Sequence, residues 1–261
     1  EPGTYLRPMS HASDFPYLQH DGFIAVAHRG GASQWPENSM RAFRGAVDLG
    51  YHYIETDVHA TSDGVLLAFH DDVLDRVTNM QGRVAEMPYA AVRDALIEGT
   101  EPIPRLDEVL EAFPDTKFNL DPKHDSVVAP MAELLRGMQA VDRVGVGSFS
   151  GKRLTRIRKL LGPALCTSMG PAEVLRLRLA SLGVPTGMFD SACAQVPVRH
   201  HGVPTADRRM IEAAHTRGLQ VHVWTIDDAD EMCRLIELGV DAIMTDEPER
   251  LRGVLQEKNL W

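Results

Sequence analysis

The sequence predicts an α/β fold, a (β/α)8 barrel, and three observations lead to it. Short apolar runs rich in β-branched residues recur, and the segments between them carry apolar residues three and four positions apart. At 261 residues, the chain has the length of one such barrel. The eight apolar runs are 23–27, 53–58, 117–121, 144–149, 164–169, 186–191, 220–226 and 241–246. A doubly wound open sheet is the alternative, but such a sheet usually has fewer strands.

Helical periodicity is clear directly after the first strand. Met40, Phe43 and Val47 fall on one helical face there, and Gly50 then stops the helix. Comparable stripes of apolar residues occur at 106–113, 127–138 and 232–239. Strand and helix therefore alternate along the chain, as a barrel requires.

One stretch interrupts this alternation. In "IETDVHATSDGVLLAFHDD", two strand-like runs at 53–58 and 65–69 flank the turn signal "TSDG". The connection between the two runs is too short for a parallel crossover, which needs about a dozen residues. We therefore predict a small antiparallel β-hairpin insertion after the second strand. The hairpin returns His70 to the level of Glu55, within one or two residues.

No linker rich in Pro, Gly or Ser divides the chain. We predict one domain over residues 1–261, with the barrel core at about 23–255 and an N-terminal extension at 1–22. No apolar run approaches the ~18 residues of a membrane span.

Composition argues against a nucleic-acid-binding protein and against one held together by disulfides or zinc. The net charge of −10, with Lys and Arg dispersed, argues against a nucleic-acid partner. Cys166, Cys193 and Cys233 are widely spaced, so neither a disulfide framework nor a zinc site is predicted, and a reducing, cytoplasmic location is favoured. Because the given chain begins with Glu1, the sequence does not exclude a signal sequence that has been removed. It does not exclude a homo-oligomer either.

Charged and polar residues stand where the apolar strands finish. In a barrel the carboxyl ends of the strands meet at one face, so we expect these residues to lie together. The residues are His28 and Arg29 after the first strand, Glu55 and Asp57 on the second, His70 after its hairpin, Asp121 and Lys123 on the third, Trp224 on the seventh, and Thr245 and Asp246 on the eighth.

The carboxylates predict a cation site. Glu55 and Asp57 are two apart on a strand, so both point to the same face, and two adjacent acids repel unless a cation lies between them. Asp121, on the next strand, can reach the same point. Carboxylate ligands without sulfur describe a site for Mg²⁺ or Ca²⁺. The alternative is that Arg29 and Lys123 hold the acids as salt bridges.

Two of the eleven histidines differ from the others, because His28 and His70 fall at strand ends beside the carboxylates. Such a pair can divide proton transfer between an acid and a base, while Arg29 and Lys123 supply positive charge to a phosphate. Together with a metal, these groups suit phosphoryl-group chemistry. Histidines expected to be structural or exposed include His59, His124, His200, His201, His215 and His222.

The assembled motifs resemble the glycerophosphodiester phosphodiesterase family. The matching stretches are "AHRGGASQWPENSMRAF" (27–43), "GYHYIETDVHATSDGVLLAFHDDVLDRVTN" (50–79), "IPRLDEVL" (103–110), "NLDPK" (119–123), "VGSFS" (146–150), "GLQVHVWTIDD" (218–228) and "GVDAIMTDEP" (239–248). The resemblance implies a (β/α)8 barrel that hydrolyses glycerophosphodiesters, its small-molecule partners, to sn-glycerol 3-phosphate and an alcohol.

Residue by residue, the resemblance implies a role for each matching side chain. The acid–base pair is His28 and His70; the metal ligands are Glu55, Asp57 and Asp121; Arg29 and Lys123 bind the phosphate; Glu37 and Asn38 support the site; and Trp224 packs on the glycerol carbons. The sequence departs from the family in one place. The third acid is often Glu followed by an aliphatic residue and Lys, whereas here Asp121 is followed by Pro122.

Two other functions compete with this one. A lysophospholipase-D-type activity would need an apolar groove near the mouth, and no conspicuous groove is evident in the sequence. The segment 82–104 is the expected place for a cap, and it is short and only mildly apolar. A barrel that only binds a phosphate ligand is the non-catalytic alternative, and the presence of both histidines and the acidic pair argues against it.

Overall fold

The computed structural model describes residues 11–200 and 202–261, so residues 1–10 and His201 lie outside the description. The strands are β1 (Ile24–Ala27), β2 (Tyr53–Ala60), β3 (Leu66–Ala68), β4 (Leu96–Ile97), β5 (Glu101–Pro102), β6 (Lys117–Pro122), β7 (Val144–Val146), β8 (Cys166–Thr167), β9 (Cys193–Val196), β10 (Arg199–His200), β11 (Val203–Pro204), β12 (Gln220–Val223) and β13 (Ala242–Thr245). The α-helices are α1 (Met40–Asp48), α2 (Tyr89–Val92), α3 (Leu106–Ala112), α4 (Val128–Gly137), α5 (Gly151–Leu161), α6 (Pro171–Ser181), α7 (Arg208–His215), α8 (Ala229–Leu238) and α9 (Pro248–Glu257).

Eight parallel strands form the barrel, in the order β8-β7-β6-β2-β1-β13-β12-β9. The sheet closes between β8 and β9 through a parallel bridge from Ser168 to Cys193. The helices between the strands bury their apolar stripes against the barrel, with Phe43 of α1 and Leu110 of α3 both fully buried. The predicted (β/α)8 barrel is confirmed. None of the helices among the described residues has the length and hydropathy to cross a bilayer.

The predicted sixth strand at 186–191 is wrong. The sixth barrel strand is β9, Cys193–Val196, which pairs in parallel with β12. The segment before it is a loop, whose carbonyls at Thr186 and Met188 each accept a hydrogen bond from Arg176 at 2.7 Å. The apolar letters of "TGMFDS" therefore mark a loop fixed to α6, in which Phe189 is buried.

The insertion after β2 begins with β3, which pairs with β2 antiparallel and places Val58 opposite Ala68. Continued by two residues, this register brings His70 level with Thr56, one residue from the predicted partner Glu55. The rest of the insertion closes over a small apolar cluster of its own, which includes Leu74, Val92 and Ile97.

Residues of the N-terminal extension predicted at 1–22 contribute apolar side chains to the core. Phe15, Tyr17 and Leu18 are buried in one cluster with residues from the starts of the barrel strands. Tyr17 packs edge-on against Tyr53, and its carbonyl accepts a 2.7 Å hydrogen bond from the Tyr53 hydroxyl. These residues close the amino-terminal end of the barrel, where packing rather than chemistry is expected.

Gly145 in β7 provides a test of this closure, because a Cβ atom there would lie 2.6 Å from Cζ of the buried Tyr17 ring. We expect Gly145→Ala to lower the free energy of unfolding by about 1–3 kcal/mol, since the ring has no free space to move into. Urea denaturation followed by circular dichroism measures this change.

Gly137→Ala is the matched control. A Cβ atom there meets nothing within 4 Å, so we expect stability to be unchanged or raised by up to about 1 kcal/mol. Equal unfolding midpoints for the two variants would show that Tyr17 does not fill the end of the barrel.

Candidate active site

A cavity of about 600 Å³ opens at the carboxyl-terminal end of the barrel strands. Eight of the ten side chains to which the resemblance assigns a role line it: His28, Arg29, Glu55, Asp57, His70, Asp121, Lys123 and Trp224. Glu37 and Asn38 do not line the cavity but contact residues that do. The structure thus brings the predicted residues together at one place.

A left-handed turn after β1 presents Arg29 to the cavity. Arg29, Gly30 and Gly31 have φ angles of 51°, 82° and 102°. Gly30 has a second reason to be glycine, because a Cβ atom there would lie 2.7 Å from the Cβ of Ala42 in α1. The turn directs the Arg29 backbone N–H at Glu55, to whose Oε2 it donates at 3.1 Å.

Glu55 and Asp57 lie side by side on β2, only 5% and 1% exposed. Burial, together with repulsion from Asp57, raises the pKa of Glu55 to about 7. Burial acts on Asp57 in the same direction, but Lys123 and Arg29 outweigh it and hold the pKa of Asp57 below its usual value. Lys123 Nζ lies 2.6 Å from Asp57 Oδ1, and Arg29 Nε lies 3.3 Å from Asp57 Oδ2. The pKa values of the two neighbouring acids are therefore shifted in opposite directions.

Asn38, which does not line the cavity, holds the Asp57 side chain in place by a hydrogen bond. Its side-chain amide donates to Asp57 Oδ2 at 3.0 Å, and its Oδ1 accepts a 2.7 Å hydrogen bond from the Thr56 hydroxyl. Asn38 has a φ of 57°, which this residue type tolerates better than most, and it is buried. The adjacent Glu37 accepts hydrogen bonds from Arg29 at 3.2 Å and from Arg76 at 2.6 Å.

Both histidines have a carboxylate against Nδ1. His28 Nδ1 lies 2.7 Å from Asp246 Oδ1, and His70 Nδ1 lies 2.6 Å from Asp71 Oδ1. This arrangement leaves each Nε2 for a ligand, as in a carboxylate-oriented base. Burial opposes protonation of His28, but Glu55 and Asp246 outweigh it, so the pKa of His28 is raised above its usual value.

The other predicted ligand, Asp121, is paired with a lysine. Its Oδ2 accepts a hydrogen bond from Lys123 Nζ at 2.7 Å, so one ammonium group bridges Asp57 and Asp121. Burial raises the pKa of Asp121, although Lys123 opposes that effect. Within residues 11–200 and 202–261, no group of three or more His, Cys, Asp or Glu side chains is arranged to hold a metal ion. The ion pairs with Arg29 and Lys123, the alternative raised by the sequence, are present at Asp57 and Asp121.

Part of the cavity wall is apolar, which corrects the expectation that no conspicuous groove exists. Its lining side chains include Phe149, Val174, Leu175, Val196, Pro197 and Val203. Phe149 packs edge-on against Trp224, with ring centroids 5.6 Å apart. The segment 82–104, predicted as the place for a cap, contributes no residue to the cavity lining. The sequence does not reveal the wall because it is assembled from separate elements, including α6 and β11.

Sequence reasoning also missed the partners of the catalytic candidates. Asp246 stands at a predicted strand end and Asp71 follows His70 directly, so both had a positional signal without an assigned role. His59, expected to be structural, is buried and donates from Nε2 to the His70 carbonyl at 3.0 Å. His200 lines the cavity, whereas His201 lies outside the described residues.

Comparisons with known proteins agree with this geometry. The model of the glycerophosphoryl diester phosphodiesterase family matches residues 28–250. A probable glycerophosphodiester phosphodiesterase 2 of Mycobacterium tuberculosis (strain ATCC 25618 / H37Rv) is 38% identical over 254 residues, covering 94% of this chain and 95% of that protein. A lysophospholipase D of Rattus norvegicus is 27% identical over 297 residues, covering 97% and 94%.

Structural comparison gives the same fold. A phosphodiesterase from Oleispira antarctica, solved in complex with the product sn-glycerol-3-phosphate, superimposes with a TM-score of 0.75 at 24% sequence identity, covering 89% of this chain and 96% of that chain. The family match spans most of the chain, including every predicted site residue. The chain therefore belongs to the glycerophosphoryl diester phosphodiesterase family and is a phosphodiesterase.

Proposed function

We propose that the protein hydrolyses glycerophosphodiesters to sn-glycerol 3-phosphate and an alcohol, with a divalent cation as cofactor and His28 and His70 as the acid–base pair. One observation carries the proposal. Two histidines, each with a carboxylate on Nδ1, face the same cavity as a buried acidic pair and two cations. The Oleispira antarctica phosphodiesterase with the same fold holds sn-glycerol-3-phosphate, the product expected here.

Arg29 and Lys123 are the groups that bind the phosphate. Both line the cavity, and Asp57 lies between them, within 3.3 Å of Arg29 Nε and 2.6 Å of Lys123 Nζ. A guanidinium can donate to two phosphate oxygens at once, while an ammonium acts as a point charge. Together they place the phosphorus next to the acidic pair and stabilise the charge that develops during its transfer.

The histidines divide the proton transfer. One Nε2 accepts the proton of the attacking hydroxyl, and the other Nε2 protonates the alcohol oxygen that leaves phosphorus. The attacking hydroxyl belongs either to water, which gives sn-glycerol 3-phosphate directly, or to the neighbouring glycerol carbon, which gives a cyclic phosphate that water then opens. Asp246 and Asp71 hold the two imidazoles in the required orientation.

The donor set fits a hard divalent cation, Mg²⁺ or Ca²⁺. Glu55, Asp57 and Asp121 would hold it, because all three offer carboxylate oxygens. Lys123 would first have to release Asp57 and Asp121, since its Nζ lies 2.6 Å from Asp57 Oδ1 and 2.7 Å from Asp121 Oδ2. Glu55 in particular is a buried acid, and its burial and the neighbouring Asp57 raise its pKa to about 7. A bound cation would supply positive charge to the phosphate oxygens.

A lysophospholipid is the second candidate substrate, and the apolar wall favours it. Phe149, Leu175 and Val203 offer a surface for an acyl chain, which a small soluble diester does not need. The similar rat protein is a lysophospholipase D. The cytoplasmic location, the homo-oligomer and the absence of a nucleic-acid partner stay predictions from the sequence.

We expect His28→Ala and His70→Ala each to lose at least about a hundredfold in kcat, since general acid–base groups contribute about that much or more. Release of sn-glycerol 3-phosphate from glycerophosphocholine measures the rate. His52→Ala is the control, because His52 is exposed, packs on His20 and is not part of the cavity. Near-normal turnover of either cavity variant would remove that histidine from the pair.

Chelation tests the cofactor. We expect EDTA to abolish hydrolysis of glycerophosphocholine, and Mg²⁺ or Ca²⁺ to restore it, because the acidic pair needs a cation to accept a phosphate. Activity that survives exhaustive chelation would contradict the metal requirement.

The same assay with lysophosphatidylcholine separates the two substrates. Faster turnover of glycerophosphocholine supports the main proposal, and faster turnover of lysophosphatidylcholine supports the second candidate. Silence with both substrates under both metals would refute the proposed hydrolysis.

A further inference from the structure

The mouth of the cavity carries large apolar side chains that face solvent. Phe149, Leu175 and Val203 all line the cavity, yet they are 69%, 60% and 53% exposed. They come from three different places in the chain: the loop after β7, helix α6 and strand β11. An exposed apolar ring around a site entrance is a feature of surfaces that meet another apolar phase.

Helix α6 extends this ring away from the mouth. Leu175, Leu179 and Leu182 are spaced four and three residues apart, so they follow one face, and all three are exposed. Leu177 and Ala180 on the opposite face are buried in the core. A surface helix ordinarily presents charged residues on its outer face, and α6 instead presents leucine there. We call Phe149, Leu175, Leu179, Leu182 and Val203 the apolar rim.

Basic residues outnumber acidic ones in the segment that carries most of the apolar rim. Residues 171–209 contain five arginines and three acids, of which Arg178 and Asp207 form an ion pair, although the whole chain has a net charge of −10. Arg199 lies on β10, which pairs with the strand that carries Val203, and its guanidinium is bonded only to the Gly202 carbonyl in the described contacts. Arg208 and Arg209 are exposed at the start of α7, and Lys152 is exposed three residues after Phe149. The segment that carries most of the rim is therefore basic in an acidic protein.

We propose that the apolar rim docks onto an anionic lipid surface. The apolar side chains of the rim would lie among the acyl chains, and Arg199, Arg208 and Arg209 would contact the headgroup phosphates. Amphipathic surfaces of this composition bind by apolar burial together with attraction to anionic lipid. The inference goes beyond the proposed hydrolysis, and it holds whichever diester is cleaved. Docking would present the cavity mouth directly to the bilayer.

A second copy of the chain fits the rim less well. In a two-fold dimer the same patch faces itself, so the arginines of one copy would oppose those of the other. The contact would also cover the cavity mouth, which a substrate must enter. An anionic surface has neither disadvantage.

Cosedimentation with large unilamellar vesicles tests the proposal. We expect the full chain to bind vesicles of phosphatidylcholine and phosphatidylglycerol (7:3) and to bind pure phosphatidylcholine at least about tenfold more weakly. Raising NaCl from 0.05 to 0.5 M should reduce binding to the anionic vesicles, because salt screens the arginines.

The variant Leu179→Ser/Leu182→Ser targets the rim outside the cavity lining. We expect its partition onto anionic vesicles to fall by at least about tenfold, with hydrolysis of the water-soluble glycerophosphocholine unchanged. Leu160→Ser is the control, since Leu160 on α5 is 39% exposed, close to the 38% of Leu179, and is not part of the rim. This control should bind as the wild type does.

Any of three results would overturn the inference. The first is a wild type that binds no vesicle, and the second is a rim variant that binds as well as the wild type. The third is light scattering that shows the wild type as a dimer and the rim variant as a monomer, without vesicle binding by either. Absence of glycerophosphocholine hydrolysis in the wild type would instead count against the proposed function. Failure of the docking proposal and failure of the proposed function are therefore distinguishable.

Discussion

Two carboxylates buried side by side on β2 are the constraint on which the rest of the site depends. Like charges in a desolvated place repel, so a strand that buries Glu55 and Asp57 must be met by positive charge or a bound proton. Asp57 receives Lys123 and Arg29, and its pKa falls. Glu55 receives a backbone N–H at 3.1 Å, with His28 Nε2 at 3.7 Å, and its pKa rises to about 7. The incomplete compensation at Glu55 is the reason we propose that a divalent cation completes the site.

The groups around this pair are arranged by contacts that cross the whole barrel. The left-handed turn at Arg29 directs its N–H at Glu55 and lets α1 pack closely against Gly30. Asp246, from the last strand, orients His28 from the other side. The acidic and basic side chains beside the acidic pair stand at the ends of β1, β2 and β6, whereas α6 and β11 supply apolar side chains such as Leu175 and Val203 to the same cavity. This division suits a molecule with a phosphate at one end and an apolar group at the other.

The barrel and the polar half of the site could be predicted from sequence, because both are encoded locally. Strand ends carry the chemistry in this fold, and "HRG", "ETD" and "DPK" can be read as strand ends without knowing any contact. The sequence places the sixth strand wrongly because the loop at 186–191 carries the large apolar residues Met188 and Phe189, whereas the true strand, Cys193–Val196, is short. The apolar rim and the contact of His28 with Asp246 could not be predicted either. Both bring together residues that are far apart in sequence. The exposure of the rim residues and the distance between His28 and Asp246 depend on how the helices and strands pack.

The most direct test of the account is isothermal titration of Mg²⁺ or Ca²⁺ into the wild type and the isosteric variant Glu55→Gln. Removing the charge of Glu55 should weaken cation binding by at least about tenfold, because a neutral amide is a much poorer ligand for a hard cation than a carboxylate. Glu108→Gln is the control, since Glu108 is an exposed acid on α3, and its affinity should be unchanged. Equal affinity in Glu55→Gln and the wild type would contradict the account and leave Glu55 as an ion-pair partner of His28.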